Sequence, residues 1–184
     1  METTEKIVEA YCRYVKNLFT LPNIKCEGQF EIDLLAIDIT SPEEIRRFHI
    51  ESSISISTGF SKLTAKPFSL ERLRQRGHQA EQRHTIDFFI ERKFNAPKIL
   101  SSLGTYGFKP GNYSKVIVSW DWTPDADKQA AAEGILLWSC RDILKEIAEI
   151  SSSGRTYFTD DTLRTLQLFQ KATHNRLGKD DGDV

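Results

Sequence analysis

Residues 115–144 read KVIVSWDWTPDADKQAAAEGILLWSCRDIL, and this stretch decides the class of fold. Residues 115–120 have the composition of a short buried strand. Thr123 then provides a helix N-cap, and Gly134 provides a stop at the end of an Ala-rich helix. A second apolar strand follows at residues 135–138 and leads into another helix. Because two strands separated by a helix pair in parallel, the stretch predicts an α/β protein.

The residues upstream predict a helix followed by antiparallel strands. Thr3 or Thr4 can cap an amphipathic helix that is expected to end by Pro22. Residues 24–39 are strand-like with an internal turn, and residues 46–56 form a second strong strand candidate. Short turns between successive strands favour hairpins, so this part of the chain predicts a three-strand antiparallel meander.

Helices are also expected between and after the strands. Residues 70–82 and 85–94 have mixed patterns with helical stretches. Leu163, Leu166 and Phe169 follow one another at three-residue steps and predict an apolar stripe on a C-terminal helix. The elements together predict one central mixed β-sheet flanked by helices on both faces.

Composition limits the domain organisation and the class of protein. The 184 residues suit a single domain over residues 1–178, followed by a polar, acidic tail, residues 179–184, that we expect to be disordered. No apolar run is long enough to cross a membrane, so we expect a cytoplasmic protein without membrane contact. The 25 basic and 26 acidic residues give a net charge of −1, so any affinity for nucleic acid must come from a local patch.

Two strand segments carry acidic residues where an apolar residue would be ordinary. Asp33 interrupts an otherwise apolar strand, and strand alternation places His49, Glu51 and Ser53 on one face of the next strand. Carboxylates on adjoining strands can converge, and their mutual repulsion would then favour a bound cation. Oxygen ligands of this type suit Mg²⁺ or Mn²⁺.

These segments resemble the PD-(D/E)xK, or restriction-endonuclease-like, nucleases, most closely their Mrr-like branch. The family's first-helix motif is similar to residues 5–8, with Glu9 one turn later as a substitute for Glu5. Its acidic strand motif resembles residues 31–33, and its (D/E)xK motif resembles residues 51–53. The strand and helix pattern of the family's later segment is similar to residues 116–144.

The resemblance implies a restriction-endonuclease-like fold with an αβββαβ core plus C-terminal helices. It also implies Mg²⁺- or Mn²⁺-dependent cleavage of phosphodiester bonds in nucleic acid, with DNA favoured. Asp33 and Glu51 would hold the metal, and Glu5 or Glu9 would add a ligand through water. The chain has Ser53 where the family has its catalytic lysine. A replacement cation is expected from the segment that follows; the candidates are Lys62, Lys66, Arg72 and Arg76.

Nucleic-acid contacts are expected from the same basic segment. Lys62, Lys66, Arg72 and Arg76 could follow a phosphate backbone, although they could equally belong to a solvated helix face. Trp120 lies at the carboxyl end of a predicted parallel strand, where a base could stack on it. A homodimer is a further expectation for a protein of this class.

Two other functions stay open at this level. Ser53 and the net charge of −1 favour a catalytically silent nuclease fold that acts as a nucleic-acid-binding or protein-interaction module. An unrelated small α/β enzyme is the other alternative. It is disfavoured because the sequence has neither a Gly-rich phosphate loop nor a nucleophile elbow.

Overall fold

The computed structural model describes residues 3–40, 43–54, 62–152 and 158–177. Its centre is a five-stranded sheet in which spatial order follows chain order. The strands are β1 (Phe19–Lys25), β2 (Glu31–Asp38), β3 (Arg46–Ser52), β4 (Ser114–Ser119) and β5 (Ile135–Ser139). Strands β1, β2 and β3 pair antiparallel, whereas β4 pairs parallel with both β3 and β5. The predicted meander and the predicted parallel pairing are both confirmed.

Helices precede, interrupt and follow the strands. The first, α1 (Thr3–Ala10), continues directly into a π-helix (Tyr11–Val15), and a second π-helix (Phe89–Phe94) lies in the middle of the chain. The other α-helices are α2 (Leu70–Arg74), α3 (Gln79–Arg83), α4 (Ile86–Phe88), α5 (Pro97–Thr105), α6 (Pro124–Ala132), α7 (Cys140–Ser152) and α8 (Asp161–Leu177).

The sheet is covered on both faces, as the alternation of its strands requires. On one face Leu34 and Ile50 pack in a core cluster with residues of α1, α7 and α8, among them Ile147. On the other face Ile117 and Leu35 contribute to two clusters that include residues of the second π-helix, α5 and α6. The expected single α/β domain with a mixed sheet between helices is therefore present.

The N-terminal helix ends before Pro22, as the sequence predicts. Helical structure ends at Val15, and Pro22 lies inside β1 rather than at the end of a helix. A proline is tolerated there because β1 is an edge strand, whose outer side needs no backbone N–H donor.

Two predicted elements have ends that differ from the prediction. The strand predicted over residues 46–56 ends at Ser52, and residues 55 and 56 lie outside the described residues. The helix predicted over residues 70–82 is divided into α2 and α3, and Gly77 between them has a φ of +96°, which a helix does not contain.

The C-terminal region agrees with the prediction in part. Leu163 of α8 is buried and Leu166 packs beside it, but Phe169 is 71% exposed. The acidic tail predicted over residues 179–184 lies outside the described residues. A search of the described part of the chain for a helix long and apolar enough to span a bilayer finds none.

Candidate functional site

Asp33 and Glu51 lie side by side on the face of the sheet that α5 and α6 cover. The β2–β3 register sets Leu34 opposite Ile50, so the next step outward sets Asp33 opposite Glu51. The Asp33 backbone N–H donates to Glu51 Oε1 at 3.4 Å, and the Ser52 N–H donates to Asp33 Oδ2 at 2.8 Å. The structure thus brings together the two acids that the sequence analysis selected.

A lysine that the sequence analysis did not select joins these two acids. Lys93 Nζ lies 3.0 Å from Asp33 Oδ1 and 2.7 Å from Glu51 Oε2, and it also donates to the Glu31 carbonyl oxygen at 3.2 Å. The Lys93 side chain is 18% exposed and the Glu51 side chain is fully buried. A single ammonium group therefore contacts two largely buried carboxylates.

Lys93 reaches the sheet from the second π-helix. Its neighbours Phe89 and Phe94 are buried in the core, which fixes the helix against the sheet. A π-turn adds one residue to the ordinary helical repeat, so residues along it point in directions that a 3.6-residue period does not predict. In the sequence Lys93 follows Glu91 and Arg92 within FFIERKF, residues 88–94, and no pattern there marks it as a site residue.

His49 contacts the Glu51 carboxyl group inside the core. It is fully buried, its Nε2 lies 2.7 Å from Glu51 Oε1, and its ring meets Phe94 edge-on with centroids 5.0 Å apart. Burial lowers the pKa of His49 to about 3, so the ring is neutral at physiological pH. His49 therefore fixes the Glu51 carboxyl group without adding charge.

The electrostatics of the three charged groups are dominated by burial. Burial raises the pKa of both Asp33 and Glu51 to about 7, and the negative charge of Glu51 adds to the rise at Asp33. Burial alone would lower the pKa of Lys93, but the Glu51 and Asp33 carboxylates raise it above its ordinary value. Lys93 is thus a permanent cation, and one lysine leaves one negative charge uncompensated when both acids ionise.

Ser53 lines the same cavity as Asp33 and Lys93 and forms a hydrogen bond with a second histidine, His84. Ser53 Oγ is 3.0 Å from His84 Nδ1, and both side chains are buried. The Ser53 N–H donates to the Val118 carbonyl, and the Thr64 N–H donates to the His84 carbonyl, so both backbones are fixed. Ser53 is therefore a partner of His84, a contact that the sequence did not indicate.

Part of this group lines a cavity of about 520 Å³. Asp33, Lys93, Ser53 and His84 all line it. Of the two first-helix acids, Glu5 lines the cavity, whereas Glu9 forms an ion pair with Arg13 and accepts a hydrogen bond from Thr20. The geometry favours Glu5 over Glu9 as the additional acid of this site.

The residues expected to bind nucleic acid lie elsewhere. Lys62 forms an ion pair with Asp121, while Lys66 and Arg72 both pair with Glu81. Arg76 is exposed between α2 and α3, and Trp120 packs against the core cluster of α1, α7 and α8. The basic residues that do line the cavity are Arg83, Arg92 and Lys93.

The donor set suits a hard divalent cation bound by few protein ligands. No group of three or more His, Cys, Asp or Glu side chains arranged to hold a metal occurs within residues 3–40, 43–54, 62–152 and 158–177. Asp33 nevertheless lines the cavity, and the buried carboxylate of Glu51 is joined to it through Lys93. Mg²⁺ commonly uses one or two carboxylates and completes its octahedron with water and substrate phosphate oxygens.

Comparisons with known proteins find no match to this chain. No protein-family model fits the sequence, no curated protein is significantly similar to it, and no solved structure significantly resembles its fold.

Proposed function

We propose that the protein is a divalent-metal-dependent nuclease of the PD-(D/E)xK type, in which Lys93 replaces the missing motif lysine. The observation that carries the proposal is the contact of the Lys93 ammonium with both Asp33 and Glu51 at the edge of an open cavity. Two acids and a lysine are the side-chain types that the family motif requires. Here the lysine comes from a helix instead of from the strand of Glu51.

Each residue has a role that follows from its chemistry. Asp33 and Glu51 would hold Mg²⁺ or Mn²⁺, with Glu5 adding a ligand through water. When bound, the ion would stabilise charge on the phosphate oxygens and lower the pKa of the attacking water. Lys93 would donate hydrogen bonds to a phosphate oxygen and stabilise the charge that develops there, an effect worth about 10²–10³ in rate for one donor.

The substrate would be nucleic acid, with DNA favoured by the resemblance to the Mrr-like branch. Arg83 and Arg92 line the cavity beside Lys93, and they can pair with phosphates without any contribution from the more distant basic segment. The same proposal includes action as a homodimer and a cytoplasmic location.

A catalytically silent module is the second candidate, and one specific observation favours it. Lys93 already neutralises part of the charge on Asp33 and Glu51, so the site can be electrostatically stable without a metal ion. In that case the cavity would bind nucleic acid or a protein segment without cleaving it.

Cleavage assays distinguish the two candidates. The wild-type protein would be incubated with supercoiled plasmid, linear duplex, single-stranded DNA and RNA, with Mg²⁺, with Mn²⁺ or with EDTA. Asp33→Ala and Glu51→Ala would be tested beside it, and Glu9→Ala would be the control because Glu9 does not line the cavity. We expect metal-dependent cleavage by wild type and Glu9→Ala, and loss of cleavage in the two other variants.

Several results would count against the nuclease proposal. Cleavage that survives the loss of both Asp33 and Glu51 would show that other residues, or a contaminant, perform it. Nucleic-acid binding by wild type without cleavage under any metal condition would favour the silent module.

A further inference from the structure

The nuclease proposal leaves one step without a residue, namely the removal of a proton from the attacking water. Lys93 has its ammonium group directed at the two carboxylates and is assigned to the phosphate oxygen in the proposal, so it is not the group that takes this proton. Asp33 and Glu51 each already accept hydrogen bonds from protein donors and would hold the metal. A separate base beside the metal would accelerate this proton transfer.

We infer that His84 is the catalytic base of this site, held in position by Ser53. This inference rests on the proposed nuclease function and adds a residue that the family motif does not contain. His84 lines the same cavity as Asp33 and Lys93. Its hydrogen-bond partner Ser53 directly follows Ser52. The Ser52 N–H donates a hydrogen bond to the Asp33 carboxylate.

The contact with Ser53 defines which nitrogen of His84 can react. Ser53 Oγ lies 3.0 Å from Nδ1, which is a hydrogen-bond distance. When Nδ1 carries the proton and donates it to Ser53 Oγ, Nε2 keeps a lone pair for a water in the cavity. Because a serine hydroxyl can both donate and accept, the inference assigns to His84 the tautomer in which Nδ1 donates to Ser53 Oγ.

The position of His84 is fixed by its backbone as well as by its ring. The residue closes α3, and its carbonyl accepts hydrogen bonds from both the N–H and the hydroxyl of Thr64. A general base that is held in this way loses little entropy when it meets the water that it deprotonates.

The charge around His84 favours a neutral ring. Burial lowers its pKa below the ordinary value, and although a hydrogen bond with Ser53 raises the pKa, the adjacent positive charge of Arg83 acts with burial to lower it. The charged residues that line the cavity around it are Arg83, Arg92, Lys93, Asp33, Glu31 and Glu5. A neutral imidazole at physiological pH can accept a proton without first losing one.

Proton transfer to His84 accompanies the formation of the new bond to phosphorus. The water oxygen forms that bond, and the proton of the water moves to His84 Nε2. The bond from phosphorus to the leaving oxygen breaks, and solvent protonates that oxygen. The imidazolium then releases its proton to solvent, so the enzyme returns to its initial state.

The test compares His84→Ala with a matched control, His78→Ala. His78 is five residues before Arg83 on the same segment, is exposed and does not line the cavity. With plasmid and single-stranded DNA in Mg²⁺, we expect His84→Ala to cleave at least about 100-fold more slowly than wild type. His78→Ala should cleave at the wild-type rate.

Two readouts separate a base from a residue that only supports the fold. Added imidazole should restore part of the activity of His84→Ala. The acidic limb of the pH–rate profile should be present in wild type and weakened in the variant, and Ser53→Ala should displace that limb without abolishing cleavage. Far-ultraviolet circular dichroism would check that each variant is folded.

Failure of this inference differs from failure of the nuclease proposal. If wild type cleaves, Asp33→Ala does not and His84→Ala matches wild type, His84 is not the base although the site is a nuclease. A slow His84→Ala variant that imidazole does not rescue and that retains the wild-type pH profile would also overturn the inference. If wild type cleaves nothing, both proposals fall together.

Discussion

Lys93 lies 3.0 Å from Asp33 although 60 positions separate them in the sequence. The contact joins a residue of the second π-helix to the middle strand of the antiparallel meander. It places a permanent positive charge where two buried acids would otherwise repel each other. The electrostatic properties of the site, and its proposed chemistry, both follow from this contact.

Replacing one of the two acids should stabilise the protein when metal is absent. Asp33→Asn removes the charge that Lys93 cannot compensate and keeps an oxygen that can accept the Ser52 N–H. We expect the free energy of unfolding at pH 8, in EDTA, to rise by up to about 4 kcal/mol, since the Asp33 pKa rises from 3.8 to about 7 and each pKa unit corresponds to about 1.4 kcal/mol. Urea denaturation measures this change. Asp142→Asn, which alters an exposed acid paired with Lys145, is the control and should give no gain; an equally large gain there would contradict the prediction.

The difference in the free energy of unfolding between Asp33→Asn and wild type should depend on pH. The Asp33 carboxyl has a pKa of about 7 in the folded protein and an ordinary value of 3.8, so between these values the folded state binds more protons than the unfolded state. The contribution of protonated Asp33 to the free energy of unfolding is fully present below about pH 4 and is lost as the pH rises through 7. The amide that Asp33→Asn introduces does not titrate. The stability advantage of the variant should therefore be small at pH 4.5 and largest at pH 8, and an advantage that does not change with pH would show that Asp33 is not held protonated.

A bound divalent cation should offset the destabilisation caused by the uncompensated negative charge of Asp33 and Glu51. Mg²⁺ or Mn²⁺ that binds the folded protein alone raises the melting temperature by mass action, and a concentration 100-fold above the dissociation constant contributes about 2.7 kcal/mol. We expect a thermal shift for wild type and little or none for Asp33→Asn. Isothermal titration calorimetry would check the binding directly. The metal would be removed from the proposal if wild type gave neither heat nor a thermal shift.

Much of the fold could be predicted because its signals are local. Thr123 accepts a hydrogen bond from the Ala126 N–H at the start of α6, and Gly134 has a φ of +65° just after its end. Both residues are recognisable in the sequence for physical reasons, a short polar cap and a left-handed backbone. The position of Pro22 inside β1 was not predicted, because a proline is tolerated there only when the strand lies at the edge of the sheet, which is a tertiary property.

The site could be predicted only in part for a similar reason. Asp33 and Glu51 are detectable because an acid inside an apolar strand is unusual, and the strand register then brings them together. Lys93 and His84 belong to a segment without clear periodicity, and their contacts with β2 and the end of β3 depend on how that segment folds over the sheet. Their side chains carry the chemistry, but no local pattern fixes their position.

The most direct test of the account compares Lys93→Met with Lys98→Met in the cleavage assay. Both changes remove a lysine charge, but Lys98 pairs with Glu27 outside the cavity, whereas Lys93 contacts Asp33 and Glu51. With Mg²⁺, we predict that Lys98→Met cleaves at the wild-type rate and that Lys93→Met, shown by circular dichroism to be folded, cleaves at least about 100-fold more slowly. Cleavage by Lys93→Met at the wild-type rate would contradict the central claim that Lys93 supplies the cation that Ser53 cannot.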